Sequence, residues 1–242
     1  MKIVAVMPAY NEEKTIYEMV KKTKQYVNKV IVVDDGSSDS TAKLARKAGA
    51  VVIRHKKNMG LGSAIRTGLE RARKFGADVT ITLDADGQHN PKDIKKFIEK
   101  INQGYDFVLG KRNLSKYPFY KKLGNLSLSF MINLISGTAL LDTESGYRAF
   151  SKNCLKKIKL QAKKYEIAAD IIFQIGKHNI MACNINLSPS IYRRGRGVTV
   201  FDGFRNFFYL LRRRKRNIME YLKDFKYVVI HAARSMIKWL VE

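Results

Sequence analysis

Val79–Pro91 reads VTITLDADGQHNP. The stretch opens on β-branched and apolar residues and halts at two carboxylates, Asp84 and Asp86. Gln88 and His89 follow, and Pro91 opens a run with helical spacing. β-Branched residues in a short apolar run predict a buried strand. Here that strand covers 79–84 and carries an acidic turn at its C-terminal end. In open α/β sheets, ligands bind outside the carboxyl ends of the strands. Residues two apart in an extended segment point the same way, so Asp84 and Asp86 can face one cation. Hard oxygen ligands suit Mg²⁺ or Mn²⁺, which keep positions open for substrate phosphates.

Working outward, the segments on both sides alternate between strand and helix patterns. Strands are expected at Lys2–Pro8, Lys29–Asp34, Ala50–Arg54 and Phe107–Gly110. Helices are expected at Asn11–Val27, Ser38–Ala48 with Ser38 as N-cap, Gly60–Phe75 and Pro91–Asn102. This alternation predicts an α/β fold with a mostly parallel, doubly wound sheet. Beyond Gly110 the pattern changes. Lys111–Lys122 is basic and aromatic, and Leu123–Leu141 carries no charge. Asn125, Ser127, Ser129, Asn133 and Ser136 interrupt that second run. A spanning helix wants about 20 mainly apolar residues, so an interfacial or half-buried helix is expected instead. Asp142–Phe150 reads as a loop turning into a strand, Tyr165–His178 as a helix and Ile180–Leu187 as a strand. Arg193–Gly197 (RRGRG) is a basic loop, and two amphipathic helices follow from Phe201, separated by Arg212–Arg216. The expected division is residues 1–200 as one domain and 201–242 as a basic amphipathic appendage.

The 242 residues carry a formal net charge of +25. Such a field draws polyanions: nucleic acid, anionic lipid or phosphorylated substrates. The two cysteines, Cys154 and Cys183, lack metal-ligand spacing and fit a reducing compartment. Met1 leads straight into a strand, so no signal peptide is expected. The turns after the first two strands, Pro8-Ala9-Tyr10-Asn11-Glu12 and Asp34-Asp35-Gly36-Ser37-Ser38-Asp39, are not glycine-rich phosphate cradles. The dinucleotide-binding reading therefore fails at its defining turn. Gly60-Leu61-Gly62 opens a helix but is a poor phosphate loop; its glycines suit close packing or a tight turn. His89 is expected to cap the next helix or stay solvated, outside the metal set, and His55, His178 and His231 to be structural.

PAYNEE, VVDDGSSDST, NMGLGSAIRTG, DADGQHNP, the Gly110-Lys111-Arg112 turn and DTESGYRAF occur in this order along the chain. The set resembles family-2 glycosyltransferases of the GT-A fold, and within them the dolichyl-phosphate (polyprenyl-phosphate) mannose synthases. The resemblance runs from residue 1 to about residue 200. It implies that Pro8, Ala9, Tyr10, Glu12 and Asp35 line the nucleoside site. It implies that Asp84, Asp86 and Gln88 hold a divalent cation, Mg²⁺ or Mn²⁺, and the donor diphosphate. Arg112 matches the arginine of the family's Gly-Ser-Arg turn. Lys121 falls where a basic residue faces the acceptor phosphate. Ser145, Gly146 and Arg148 fall in the acceptor-side loop. Arg194 and Arg196 match an Arg-rich loop that closes over the phosphates. One departure stands out: Gly197-Val198-Thr199-Val200 replaces the family's Gly-x-Ser-Lys. Many relatives also carry C-terminal transmembrane helices, which this sequence does not show.

The implied reaction moves a hexose, mannose from GDP-mannose in the first instance, to dolichyl or polyprenyl phosphate with inversion. UDP-glucose or UDP-N-acetylglucosamine is the alternative donor. A phosphate acceptor is already an anion and needs no base; cations must instead bring two anions together. Asp86, Arg112, Lys121 and Arg196 carry that work in this reading. A relative that glycosylates a hydroxyl would need a carboxylate base, for which Asp142, Glu144, Glu166 and Asp170 are the candidates. The amphipathic appendage and its basic block favour peripheral docking on an anionic membrane at its cytoplasmic face, with room for a transmembrane partner subunit. A basic nucleic-acid-binding protein is the remote alternative; carboxylates at the strand ends would repel a phosphate backbone, so no nucleic acid is expected. A membrane scaffold with an inactive transferase fold fits poorly with Asp84, Asp86, Gln88 and Arg112 all in place.

Overall fold

The computed structural model describes residues 1–113, 117–189 and 209–210. Among these, a seven-stranded sheet has the order β3-β2-β1-β4-β6-β5-β7. The strands are β1 (Ile3–Ala9), β2 (Lys29–Asp34), β3 (Val51–Arg54), β4 (Val79–Thr82), β5 (Phe107–Lys111), β6 (Arg148–Ser151) and β7 (Ala182–Asn186). All neighbours pair in parallel except β6, which runs antiparallel to both β4 and β5. The doubly wound expectation thus holds with one reversed strand in the middle.

Both sheet faces are covered, which is why β1 and β2 read as unbroken apolar runs. The helices are α1 (Ile16–Thr23), α2 (Thr41–Lys47), α3 (Leu61–Lys74), α4 (Ile94–Asn102), α5 (Phe119–Ser136), α6 (Lys152–Lys157) and α7 (Ile167–Lys177). Along β1 the residues alternate between faces. Val4 and Val6 pack with Ala64 and Ala72 of α3. Ala5 and Met7 pack with Ile16 and Val20 of α1 and with Ile94 and Phe97 of α4. A second core lies beneath α5 and α7, where Phe107, Leu109 and Phe150 meet Leu128, Ile132, Ile171 and Ile175. Leu210 is buried in that core and Tyr209 packs against it. The proposed division at residue 200, Arg194, Arg196 and the remaining C-terminal helix pattern lie outside the described residues.

Three boundaries differ from expectation for local reasons. Helix α1 starts five residues late, because Asn11 takes a left-handed conformation (φ 54°) and its side chain accepts the Ser38 N–H at 3.0 Å. Ser38 therefore does not cap α2; Asp39 accepts the Thr41 N–H at 2.9 Å and does that work. Helix α5 starts earlier and ends at Gly137, which is left-handed (φ 68°). Past that end the Asn133 side chain donates to Leu140 O and accepts from Leu140 N and the Thr138 hydroxyl. Ser129 likewise accepts from the Thr143 N–H at 3.2 Å. Asn133 and Ser129 thus face inward and hold the loop that follows, while Ser127 is exposed. Short α6 was not anticipated; Ser151 caps it by accepting the Cys154 N–H at 3.0 Å. No helix among the described residues is long and apolar enough to cross a membrane.

Candidate active site

Strands β1, β2 and β4 are parallel neighbours, so their carboxyl ends emerge along one edge. Chain order reverses direction across the sheet at β1, the position where such folds open a crevice. Ala9, Asp35 and Asp84 all leave the sheet there.

The acidic turn is held from within and from below. Leu83 and Ala85 are buried, while the Asp84 side chain is 42% exposed. Asp86 accepts the Gln88 backbone N–H at 3.0 Å through Oδ1 and the Gln88 side-chain amide at 2.8 Å through Oδ2. With that amide nitrogen turned to Asp86, the Gln88 carbonyl oxygen is its remaining donor for a cation. His89 is neither a helix cap nor solvated. Its buried Nδ1 accepts the Asp84 N–H at 3.0 Å, which leaves the proton on Nε2. Burial lowers its pKa, against the pull of Asp84 and Asp86. Its ring lies on Tyr147, centroids 4.9 Å apart, and Tyr147 in turn packs on Phe97 at 4.5 Å. The helix cap is Asn90, which accepts the Lys92 N–H at 3.1 Å.

One loop, residues 142–148, links this turn to the basic side. At its start Asp142 grips Arg112: Nε donates to Oδ2 at 2.8 Å, Nη2 to Oδ1 at 2.6 Å and the backbone N to Oδ2 at 2.9 Å. Asn125 of α5 donates to Oδ1 at 2.9 Å. Burial disfavours both charges, but their mutual attraction prevails. The Asp142 pKa is lowered and the Arg112 pKa raised. At the other end Gly146 packs against Asp84, and its carbonyl accepts the Thr82 hydroxyl at 2.9 Å. The expected acceptor residues divide accordingly. Lys121 stands half-buried in the first turn of α5, and Gly146 supports Asp84. Ser145, within the loop, and Arg148, the first residue of β6, are buried at 0% and 2% exposure and do not line the loop's surface.

On the nucleoside side, Pro8 and Ala9 end β1, Tyr10 is 48% exposed and Glu12 is half-buried. The Glu12 N–H donates to the Thr41 hydroxyl at 2.8 Å, and its side chain accepts the Thr15 hydroxyl at 3.3 Å. Asp35 is 4% exposed, and its carboxylate is turned to the chain itself. Oδ1 meets His55 Nδ1 at 2.6 Å and the Met59 N–H at 2.9 Å; Oδ2 accepts the Gly60 N–H at 2.8 Å. Asp35 thus shapes the 55–60 loop beside the carboxyl ends of β1 and β2, and His55 has the partner that the sequence did not reveal. At the start of α3, Gly60 is left-handed (φ 93°) and a Cβ on Gly62 would stand 2.6 Å from Ala162 O. Both glycines therefore serve turn and close packing, as expected.

Among the described residues no three His, Cys, Asp or Glu side chains gather as a metal cage. Two carboxylates and an amide oxygen fit Mg²⁺ or Mn²⁺ all the same, since such ions keep waters and substrate phosphates in their shell.

Residues 4–160 match the family model described as Glycosyl transferase family 2. The chain belongs to this family. The family-2 glycosyltransferase is 38% identical over 237 residues to the UDP-N-acetylglucosamine–dolichyl-phosphate N-acetylglucosaminyltransferase of Methanococcus voltae, covering 86% of this chain and 94% of the relative. It is 30% identical to the dolichol-phosphate mannosyltransferase of Pyrococcus furiosus, covering 88% of this chain and 64% of the relative. Among solved structures it is similar to glucosyl-3-phosphoglycerate synthase from Mycobacterium tuberculosis in complex with UDP. That match has a TM-score of 0.72 and 22% identity, and covers 88% of this chain and 79% of the other. The fold is GT-A.

Two of the four carboxylates considered as a base in this transferase are committed elsewhere. Asp142 is bound to Arg112 and Asn125. Asp170 is fully buried and accepts the Gln161 and Ala162 N–H groups at 2.7 and 3.0 Å.

Proposed function

We propose that the protein transfers a sugar from a nucleotide sugar to a polyprenyl phosphate, dolichyl phosphate included, at the surface of a membrane. The observation that carries this reading is the 142–148 loop, which touches both halves of the site. Gly146 abuts the acidic turn and Asp142 aims Arg112. One short segment thereby fixes a cation-binding and an anion-binding group relative to each other.

Asp84, Asp86 and the Gln88 carbonyl would hold Mg²⁺ or Mn²⁺, which supplies positive charge to the donor diphosphate. Asp142 takes one edge of the Arg112 fork, so the Nη1 edge is left to meet a phosphate. Lys121, and Arg194 and Arg196 beyond the described residues, would add to the field around the acceptor. An acceptor phosphate oxygen attacks the anomeric carbon, the bond to the diphosphate breaks, and its electron pair leaves with the nucleoside diphosphate. The anomeric centre inverts. The acceptor arrives ionised, so no base is required, which agrees with the structural employment of Asp142 and Asp170. Pro8, Ala9, Tyr10 and Glu12 would border the nucleoside, with Asp35 holding the loop beside them.

UDP-N-acetylglucosamine is the preferred donor in this reading, supported by the Methanococcus voltae relative at 38% identity over 94% of its length. GDP-mannose is the second, supported by the Pyrococcus furiosus relative. Docking on a membrane surface, on its cytoplasmic face in this reading, draws its support from Phe119, Leu123 and Leu126, which are exposed on one side of α5 beside Lys121 and Lys122 and speak for the surface, not the side. The test is transfer of radiolabel from UDP-N-acetylglucosamine, UDP-glucose or GDP-mannose into the organic phase with polyprenyl phosphate and Mn²⁺. Label should move from one donor and depend on the cation. No transfer from any of them would refute the proposal.

A further inference from the structure

Arg148 is the largest fully buried side chain among the described residues. It is 2% exposed, and its Nε has no hydrogen-bond partner. No ion pair among the described residues includes it. Burial lowers its pKa to about 10, with Glu144, Asp84 and Asp142 favouring the charge and Arg112 opposing it. The guanidinium is therefore charged at neutral pH. Packing does not account for it. Its strand neighbours Phe107, Leu109 and Phe150 are core residues, and an apolar side chain of similar volume would avoid the desolvation cost.

Its position is informative. Arg148 pairs with Thr82, the last residue of β4, and directly opposed residues point to the same face. The Thr82 hydroxyl binds Gly146 O, and Gly146 packs on the Asp84 carboxylate. The buried charge thus sits under the acidic turn, in a medium that screens it poorly.

We propose that Arg148 is a positioning residue whose buried charge opposes a divalent cation at Asp84 and Asp86, so that the cation is held firmly only together with a nucleoside diphosphate. This rests on the cation reading of the turn given above. Two carboxylates attract the cation and Arg148 subtracts from that attraction. The diphosphate adds negative charge on the far side and tips the balance. The consequence is that cation and donor are taken up together, and that cation and nucleoside diphosphate leave together after transfer.

The test measures Mn²⁺ binding to the full chain by electron paramagnetic resonance, alone and with UDP or GDP. The wild type should bind Mn²⁺ at least about tenfold more tightly with the effective diphosphate. Arg148→Met should tighten binding of Mn²⁺ alone by roughly tenfold and shrink the dependence on diphosphate. Arg148→Lys should restore the wild-type ratio. A merely structural arginine would not tighten metal binding when removed. A folded Arg148→Met chain with unchanged or weaker Mn²⁺ binding overturns the proposal. Should that variant not fold, Arg148→Gln carries the same expectation. Wild-type binding that is equal with and without diphosphate overturns it outright. Failure of the wild type to bind Mn²⁺ under any condition would instead refute the cation reading of the turn.

Discussion

Gly146 faces the carboxylate of Asp84 so closely that a Cβ at residue 146 would stand 2.6 Å from Oδ2 and 2.7 Å from Oδ1. A methyl group there must push Asp84 aside. The Asp84 side chain is partly exposed, so it can swing into solvent without disturbing the core. Gly146→Ala should therefore stay folded, with a melting temperature within a few degrees of wild type. Its cation-dependent transfer should fall by about 10–100-fold, since misplacing a reacting group by an ångström has that scale of effect. Full activity in the purified variant would show that the site does not depend on this contact.

The Arg112–Asp142 pair makes a prediction about stability and pH. Asp142 is buried, and the Arg112 side chain is 24% exposed. Removing one member of a buried pair costs roughly 3–5 kcal/mol, and this exposure discounts that to about 2–3 kcal/mol for Asp142→Asn. The Asp142 pKa lies below its ordinary 3.8 in the folded chain. A lowered carboxyl pKa gives stability that is complete above the unfolded value and is lost as pH falls through the folded value. The gap between wild type and Asp142→Asn should then be constant from neutral pH down to about pH 5, and narrow below 3.8. Urea unfolding of both proteins across that range checks it. A gap that widens on acidification would contradict the assignment.

The fold and the acidic turn were legible because both rest on local pattern. β-Branched runs alternating with helices predicted a mostly parallel sheet, and the run ending at Asp84 placed that residue at a carboxyl edge. What stayed hidden depends on contacts between distant segments. His55 gained its role from Asp35, twenty residues earlier, and His89 packs on Tyr147, which immediately precedes the reversed strand β6. The reversal of β6 could not be read from its four residues, yet it is what sets Arg148 opposite Thr82 inside the sheet. The inward-facing Asn125, Ser129 and Asn133 looked like breaks in an apolar run. They hold the loop that carries Asp142.

Asp35 and His55 give a prediction about nucleotide affinity. The carboxylate organises His55, Met59 and Gly60, and His55 reaches on to the Thr67 hydroxyl at 3.1 Å. His55→Ala removes one of those partners and leaves the backbone N–H contacts, so it should cost about 1–2 kcal/mol in stability. Asp35→Ala takes the acceptor from the Met59 N–H, leaves the Gly60 N–H only Asn58 Oδ1 at 3.1 Å and strips His55 of its partner, so it should cost more, about 2–4 kcal/mol. Both should raise KM for the nucleotide sugar more than they lower kcat, because in the proposed reading the loop borders the nucleoside and not the reacting atoms. A variant that loses kcat at unchanged KM would place Asp35 closer to the chemistry.

The exposed face of α5 makes the last prediction. Phe119, Leu123 and Leu126 recur at helical spacing and are 76%, 52% and 36% exposed. Lys121 and Lys122 lie in the same two turns, and Asn125 ties the helix to Asp142 and hence to Arg112. An apolar face flanked by cations and joined to Arg112, the proposed anion-binding arginine, suits contact with an anionic lipid surface. Burying a large apolar side chain is worth about 1.5–3 kcal/mol, so two partial burials should contribute about 2–3 kcal/mol together. Phe119→Ser with Leu123→Ser should weaken binding to anionic liposomes by about 30–150-fold on that basis. The same double variant should raise KM for polyprenyl phosphate and leave KM for the nucleotide sugar near wild type. Neither residue belongs to a buried cluster, so thermal stability should hardly change. Equal liposome binding by the double variant would remove α5 from the docking surface and leave that role to the segment beyond residue 200.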